Sequence, residues 1–231
     1  MGYATAFYYE LQTIKAPATA CLPQEEKTLQ LERVTSYRED VCLYLNRKLQ
    51  ERPCCIQHTA TDFNVILEDL KIGEGCIYIL RRKATGGIAA LAVTYPDENN
   101  RTILHVAELV AESEKSKAIL LSYIARETGV EAFQLITPPA EKENALPLGM
   151  ARIVQAKVVL QLYATKHPEQ ELNIALTDEQ LSANNGYYYL NNGKCMFSLQ
   201  RLPGSHRQLN ISELTELILT DEHPYMSLML N

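Results

Sequence analysis

The residues of this sequence best suited to move a proton or hold a cation gather at its end. Asp221 and Glu222 form an acidic pair beside His223, and Pro-Tyr-Met-Ser-Leu-Met-Leu then runs from Pro224 to Leu230 before the terminal Asn231. Such a tail is too apolar for a frayed end, so it is expected to pack. A packed tail fixes its terminal carboxylate, which can serve as an acceptor or a base if a pocket surrounds it. The Asp221-Glu222 pair can steer a cationic ligand or be a solvated helix end, and the residues alone favour the solvated end. Elsewhere, Tyr187-Tyr188-Tyr189 places rings on alternate faces of a strand, for core and interface packing ahead of ligand contact.

The remaining candidates read as structural. Five histidines, at 58, 105, 167, 206 and 223, lack the i, i+4 spacing of a helical metal pair. His105 lies in an apolar strand and reads as a core histidine. Six cysteines, at 21, 42, 54, 55, 76 and 195, show no C-x-x-C spacing. They read as reduced core thiols, and Cys54-Cys55 has no basic neighbour to lower a thiol pKa. No G-x-S-x-G, G-x-x-x-x-G-K or G-x-G-x-x-G occurs, so hydrolase-elbow, P-loop and dinucleotide readings have no foothold.

The elements that must position the tail are set by periodicity and turn signals. Ala6 to Ile14 and Leu29 to Val34 read as strands, with a Pro-containing linker from Lys15 to Lys27 between them. A helix begins near Ser36 as N-cap and stops before Pro53, and Thr61 or Asp62 caps a second that Gly73 and Gly75 end. Cys76–Arg82, Ile88–Tyr95 and Thr102–Val110 read as an antiparallel meander. A helix from Ser113 through Glu127 and a strand from Val130 to Thr137 come next. Ala140 to Met150 is the natural domain boundary. Past it come an extended Ala151–Gln155 and a helix from Ala156 to Thr165 that His167-Pro168 ends. Strands bounded by two Asn-Asn-Gly turns, at 184–186 and 191–193, precede a last helix with Ser212 as N-cap. The fold class is α+β, a mixed or antiparallel sheet flanked by helices and followed by a smaller α/β domain.

With 231 residues, 46% of them hydrophobic and 22% charged, the chain is long enough for one large domain or two ordinary ones. A net charge of −6 without clustered Lys and Arg argues against nucleic acid. No window approaches the roughly 18 to 20 apolar residues of a membrane span. The start lacks the pattern of a signal peptide, so a cytoplasmic location is expected.

Several stretches together resemble one family. Gly149-Met150-Ala151-Arg152-Ile153-Val154, the helix Val158–Ala164, His167-Pro168, Asn184-Asn185-Gly186, Ile211-Ser212-Glu213-Leu214-Thr215-Glu216-Leu217 and the apolar end look like the sterol-carrier-protein-like C-terminal domain of Eis-type (enhanced intracellular survival) acetyltransferases. His105 to Thr137 resembles the cofactor-binding half of a GNAT fold. The family's pyrophosphate-cradling loop is replaced here by Ala111-Glu112-Ser113-Glu114-Lys115-Ser116, whose acidic side chains would repel a pyrophosphate.

The resemblance implies three segments. Residues 1–27 would be the end strand of a largely missing GNAT domain with its linker, 28–148 a degenerate central GNAT-like domain, and 149–231 the sterol-carrier-like domain. It implies acetyl transfer from acetyl-CoA to a primary amine of a small polycation or peptide, with no cofactor bound by this chain alone, no activity in isolation, and a homo-oligomer. The base it implies is the terminal carboxylate of Asn231, with Glu222, Asp221 and Tyr225 as weaker contacts to a cationic substrate. The alternative is a non-enzymatic sterol-carrier-like module that binds an apolar ligand or acts as an oligomerisation scaffold.

Overall fold

Strands that are apolar at every position have no face to show to water, so they must be covered on both sides. Ile77-Tyr78-Ile79-Leu80 and Ala89-Ala90-Leu91-Ala92-Val93 are such runs, and all nine residues are buried. The computed structural model describes residues 2–17, 27–139 and 145–228, apart from the side chain of Asp221. It divides the chain into two units: Tyr9–Leu146 with Tyr225–Asn231, and Met1–Tyr8 with Pro147–Pro224.

The first unit holds β1 (Ala4–Lys15) from Tyr9 on, β2 (Leu29–Val34), α1 (Glu39–Leu49), α2 (Ala60–Ile72), β3 (Cys76–Arg82), β4 (Ile88–Pro96), β5 (Ile103–Ala111), α3 (Glu114–Thr128) and β6 (Ala132–Thr137). The strands lie in the order β2-β3-β4-β5-β6-β1. Neighbours from β2 to β5 are antiparallel, as the turn signals require, whereas β5 and β6 are parallel because α3 carries the chain back across the sheet. Ile77 and Ile79 join Val41, Leu45, Phe63 and Leu67 on the α1 and α2 face. Tyr78 and Leu80 join Leu120 and Ile124 of α3 on the other. The result is a mixed sheet between two helical layers.

One irregularity in β5 decides which way its only acidic side chain points. Val93 pairs with Glu108 but Thr94 pairs with Val106, so Ala107 is an extra residue, a β-bulge in β5. The bulge inverts the alternation: Val106 faces α3, while Ala107 and Val110 face α1 and α2. Glu108, two residues before Val110, shares that second face. The parallel pairing of β5 with β6 stops at Val106↔Leu135, so the strands part just before Glu108.

The second unit contains β7 (Leu146–Ala151) from Pro147 on, α4 (Ala156–Lys166), β8 (Leu172–Thr177), a 3-10 turn at Ser182–Asn184, β9 (Gly186–Asn191), β10 (Lys194–Ser198), β11 (Arg207–Asn210) and α5 (Ile211–Glu222). The sheet order is β10-β9-β8-β11, with β11 parallel to β8. Its core joins Leu160 and Tyr163 of α4, Ile174 and Leu176 of β8, Tyr188 and Leu190 of β9, and Leu214 and Ile218 of α5. Tyr188 points inward while Tyr187 and Tyr189 lie edge-on to His206, the alternation expected of that run.

Several local expectations need correction. Helix α2 is capped by Thr59, which shares a capping box with Asp62, rather than by Thr61 or Asp62. Helix α5 is capped by Asn210, reciprocally with Glu213. Asn210 is extended and free to turn its amide back onto the Glu213 N–H, while Ser212 is already helical and donates to the Tyr3 carbonyl. Arg38, without a side-chain cap, takes the place expected for Ser36. The extended segment is 146–151 instead of 151–155. Of the two Asn-Asn-Gly sites, only the second is a hairpin, with Asn192 and Gly193 both at positive φ. The first ends a longer loop, where Asn184 and Asn185 act through their side chains.

Candidate functional site: the seat of the tail

The site begins with a carboxylate that the bulge turns onto a buried face. Glu108 is 2% exposed, and Arg52, in the turn after α1, meets it with two parallel bonds, Nη1 to Oε2 and Nη2 to Oε1, each 2.7 Å. The Leu109 N–H donates to Oε1 at 2.9 Å. One donor comes from far along the chain: Ser227 Oγ donates to Oε2 at 2.7 Å.

Around that contact the tail is held by side chains. The Tyr225 ring lies under the Arg52 guanidinium, 4.9 Å from ring centroid to Cζ, and its hydroxyl donates to the Ile136 carbonyl at 2.9 Å. Met226 is fully buried and its Sδ accepts the Ile56 N–H. Leu228 closes on the α1 and α2 core. Ile136 is on β6 and Glu108 on β5, so Tyr225 and Ser227 engage the two strands where they part. Residues 225–228 are thus packed, as the composition of the tail required; Met229, Leu230 and Asn231 lie outside the described residues.

Charge in the seat is settled by these partners. Burial pulls the Arg52 pKa down, but the Glu108 bonds outweigh it and hold it above its ordinary value. Burial, with Glu108 adding to it, pushes the Tyr225 phenol well up. His58, in the loop before α2, is buried with both ring nitrogens unpaired, and burial keeps its pKa below the ordinary value.

The candidates named from the sequence fall in different places. Tyr225 is in the seat. Glu222, in the other unit, is the last residue of α5 and accepts from Lys166 Nζ and from His167 Nε2 at 3.1 Å at the end of α4. Burial raises its pKa, but the bonds from Lys166 and His167 outweigh that and leave it lowered. Asn231 and the side chain of Asp221 lie outside the described residues. His105 is half-buried and shares a bond with Asp97 Oδ2 at 2.7 Å. Among the described residues no cluster of His, Cys, Asp or Glu could hold a metal. No described helix is long and apolar enough to cross a membrane.

Arg52, Glu108 and Ser227 were not singled out from the sequence. The one signal for them was Glu108 itself, a lone carboxylate in the apolar strand Ile-Leu-His-Val-Ala-Glu-Leu-Val-Ala. At the start of α3, Ser113 Oγ accepts the Ser116 N–H, and the Glu112 carboxylate pairs with Arg47 at 2.6 Å and Lys48 at 3.6 Å. Two acidic side chains, Glu112 and Glu114, therefore flank that helix N-terminus.

No protein-family model and no curated protein matches the chain. Solved structures do. A GCN5-related N-acetyltransferase from Anabaena variabilis is 16% identical with a TM-score of 0.65, covering 95% of this chain and 59% of that one. One from Kribbella flavida is 13% identical with a TM-score of 0.60, covering 99% and 66%. Eis1 from Mycobacterium abscessus is 13% identical with a TM-score of 0.56, covering 94% and 59%. The mixed sheet between helical layers is a GNAT fold, and the chain spans about three fifths to two thirds of the length of these structures.

Proposed function

We propose that this chain works as part of an Eis-like GNAT N-acetyltransferase that moves acetyl from acetyl-CoA to a primary amine of a small polycation or peptide. In this reading the Tyr9–Leu146 unit is a GNAT fold without acyl-CoA chemistry of its own, and its task is to hold the tail. The observation that carries it is the seat: Tyr225 and Ser227 occupy the parting of β5 and β6 on a buried, fully paired carboxylate. The start of α3 supports it, because Ser113 Oγ already accepts the Ser116 N–H that an anion would otherwise take, and Glu114 adds negative charge in the first turn.

The terminal carboxylate of Asn231 is the proposed base, as the resemblance implies; Glu222 is held by Lys166 and His167, and Tyr225 by Ile136 and Arg52. The apolar-ligand alternative draws no support from the second unit, where Leu160 of α4, Ile174, Tyr188 and Leu214 of α5 lie in one core at 0% exposure. Titration calorimetry of the isolated chain with acetyl-CoA is expected to show no micromolar binding. Micromolar binding would overturn the assignment of this unit.

A further inference from the structure

The seat holds residues 225–228 as a receptor holds a peptide. Three apolar or aromatic side chains are buried, Tyr225 at 5%, Met226 at 0% and Leu228 at 7% exposure. Each polar contact selects a side-chain type: a carbonyl that needs a phenol, a guanidinium that needs a ring face, and a carboxylate that needs a hydroxyl. Buried aromatic anchors beside an Arg are the pattern of an interface hot spot, where few residues carry most of the binding. The tail is gripped through its side chains, so its capture does not depend on extending the sheet.

We infer that the cleft formed by Arg52, Ile56, Glu108 and Ile136 is a peptide-recognition site, whose ligand is a segment of the pattern Tyr-Met-Ser-Leu and whose resident occupant is the chain's own tail. The site does not depend on the acetyltransferase reading. It rejects an acid at the third position, because a second carboxylate would stand against Glu108 in a buried place.

The test uses the full chain carrying Ser227→Glu, with its circular-dichroism melt checked, and a fluorescent peptide of residues 224–231. By anisotropy, the S227E chain is expected to bind the peptide about tenfold or more tightly than the unmodified chain, whose seat is filled. Peptides carrying Tyr225→Ala or Ser227→Glu are expected to lose about tenfold or more. Equal binding by the two chains, or equal binding of the wild-type and Ser227→Glu peptides, overturns the inference. If S227E does not fold, a chain carrying Ser227→Ala takes its place, whose tail has lost its bond to Glu108 and must yield to the wild-type peptide in preference to the Ser227→Glu peptide. No such preference there also overturns it. Acetyl-CoA binding plays no part in these readouts, so either proposal can fail without the other.

Discussion

In each unit an arginine meets a carboxylate at most 2% exposed, and the two pairs are built for different ends. In the second unit Arg152 Nη2 meets Asp178 Oδ1 at 2.6 Å, with side chains 6% and 1% exposed. The same carboxylate accepts the Gln180 and Leu181 N–H groups and the Asn184 amide at 2.9 Å. Apart from Arg152, these donors lie within six residues of Asp178. Asn184 passes the network on, accepting the Ala156 N–H at the start of α4, while its carbonyl takes the Tyr188 hydroxyl. Glu108 also has a local N–H and an arginine, but its remaining donor is Ser227, 119 residues away. A buried carboxylate saturated by its own loop holds a fold together. One completed by a distant hydroxyl ties a remote segment of the chain to the fold.

That contrast is sharpest at Asp178. Although burial pulls its pKa upward, the Asn184 amide, the two backbone N–H groups and Arg152 hold it at about 2, below the ordinary 3.8. A depressed folded-state pKa means stability that is present above the unfolded value and lost as pH falls from about 4 toward 2. Asp178→Ala is expected to cost the second unit about 3–5 kcal/mol, because it breaks a buried ion pair from one side and takes the shared acceptor from the Gln180 and Leu181 N–H groups and the Asn184 amide. Asp178→Asn should flatten the acid limb of stability, read by hydrogen exchange of the 178–190 amides at stepped pH. An unchanged limb would remove the hub role.

Arg52→Ala should cost the first unit less, about 3 kcal/mol, since Arg52 is 19% exposed and water can reach part of the site. It should also free the tail, seen as faster hydrogen exchange over 225–228. Destabilisation with the tail still protected would erase the difference between the two pairs. The smallest effect is expected from Tyr225→Phe, which removes one hydrogen bond to the Ile136 carbonyl but keeps the ring under Arg52. It should loosen the tail by about 1 kcal/mol in the same exchange measurement. A loss as large as that of Arg52→Ala would place the grip on the phenol rather than on the ion pair.

Much of this was legible in the residues because it rests on local rules. Apolar runs with turn signals marked β3, β4 and β5, Gly129 in the left-handed region closes α3, and Asn192-Gly193 makes the hairpin its types demand. Packing of Tyr225 to Leu228 was dictated by composition alone. Helix starts were less legible, since Thr59 and Asn210 were chosen over nearby candidates by which residue stayed extended enough to fold its side chain back. The first Asn-Asn-Gly site looked like a turn because Asn suits both turns and hubs, and only the burial of Asp178 decided between them.

What the sequence determined by itself was the inventory: two-sided strands, an amphipathic order of helices, and an apolar tail that had to find a core. Where the tail went was a tertiary decision. One extra residue at Ala107 rotates β5 by half a pleat, turns Glu108 onto the α1 and α2 face, and so sets a buried acceptor beside Arg52. Periodicity read within one strand cannot reveal such a slip, because a bulge is defined by the partner strand against which it is counted.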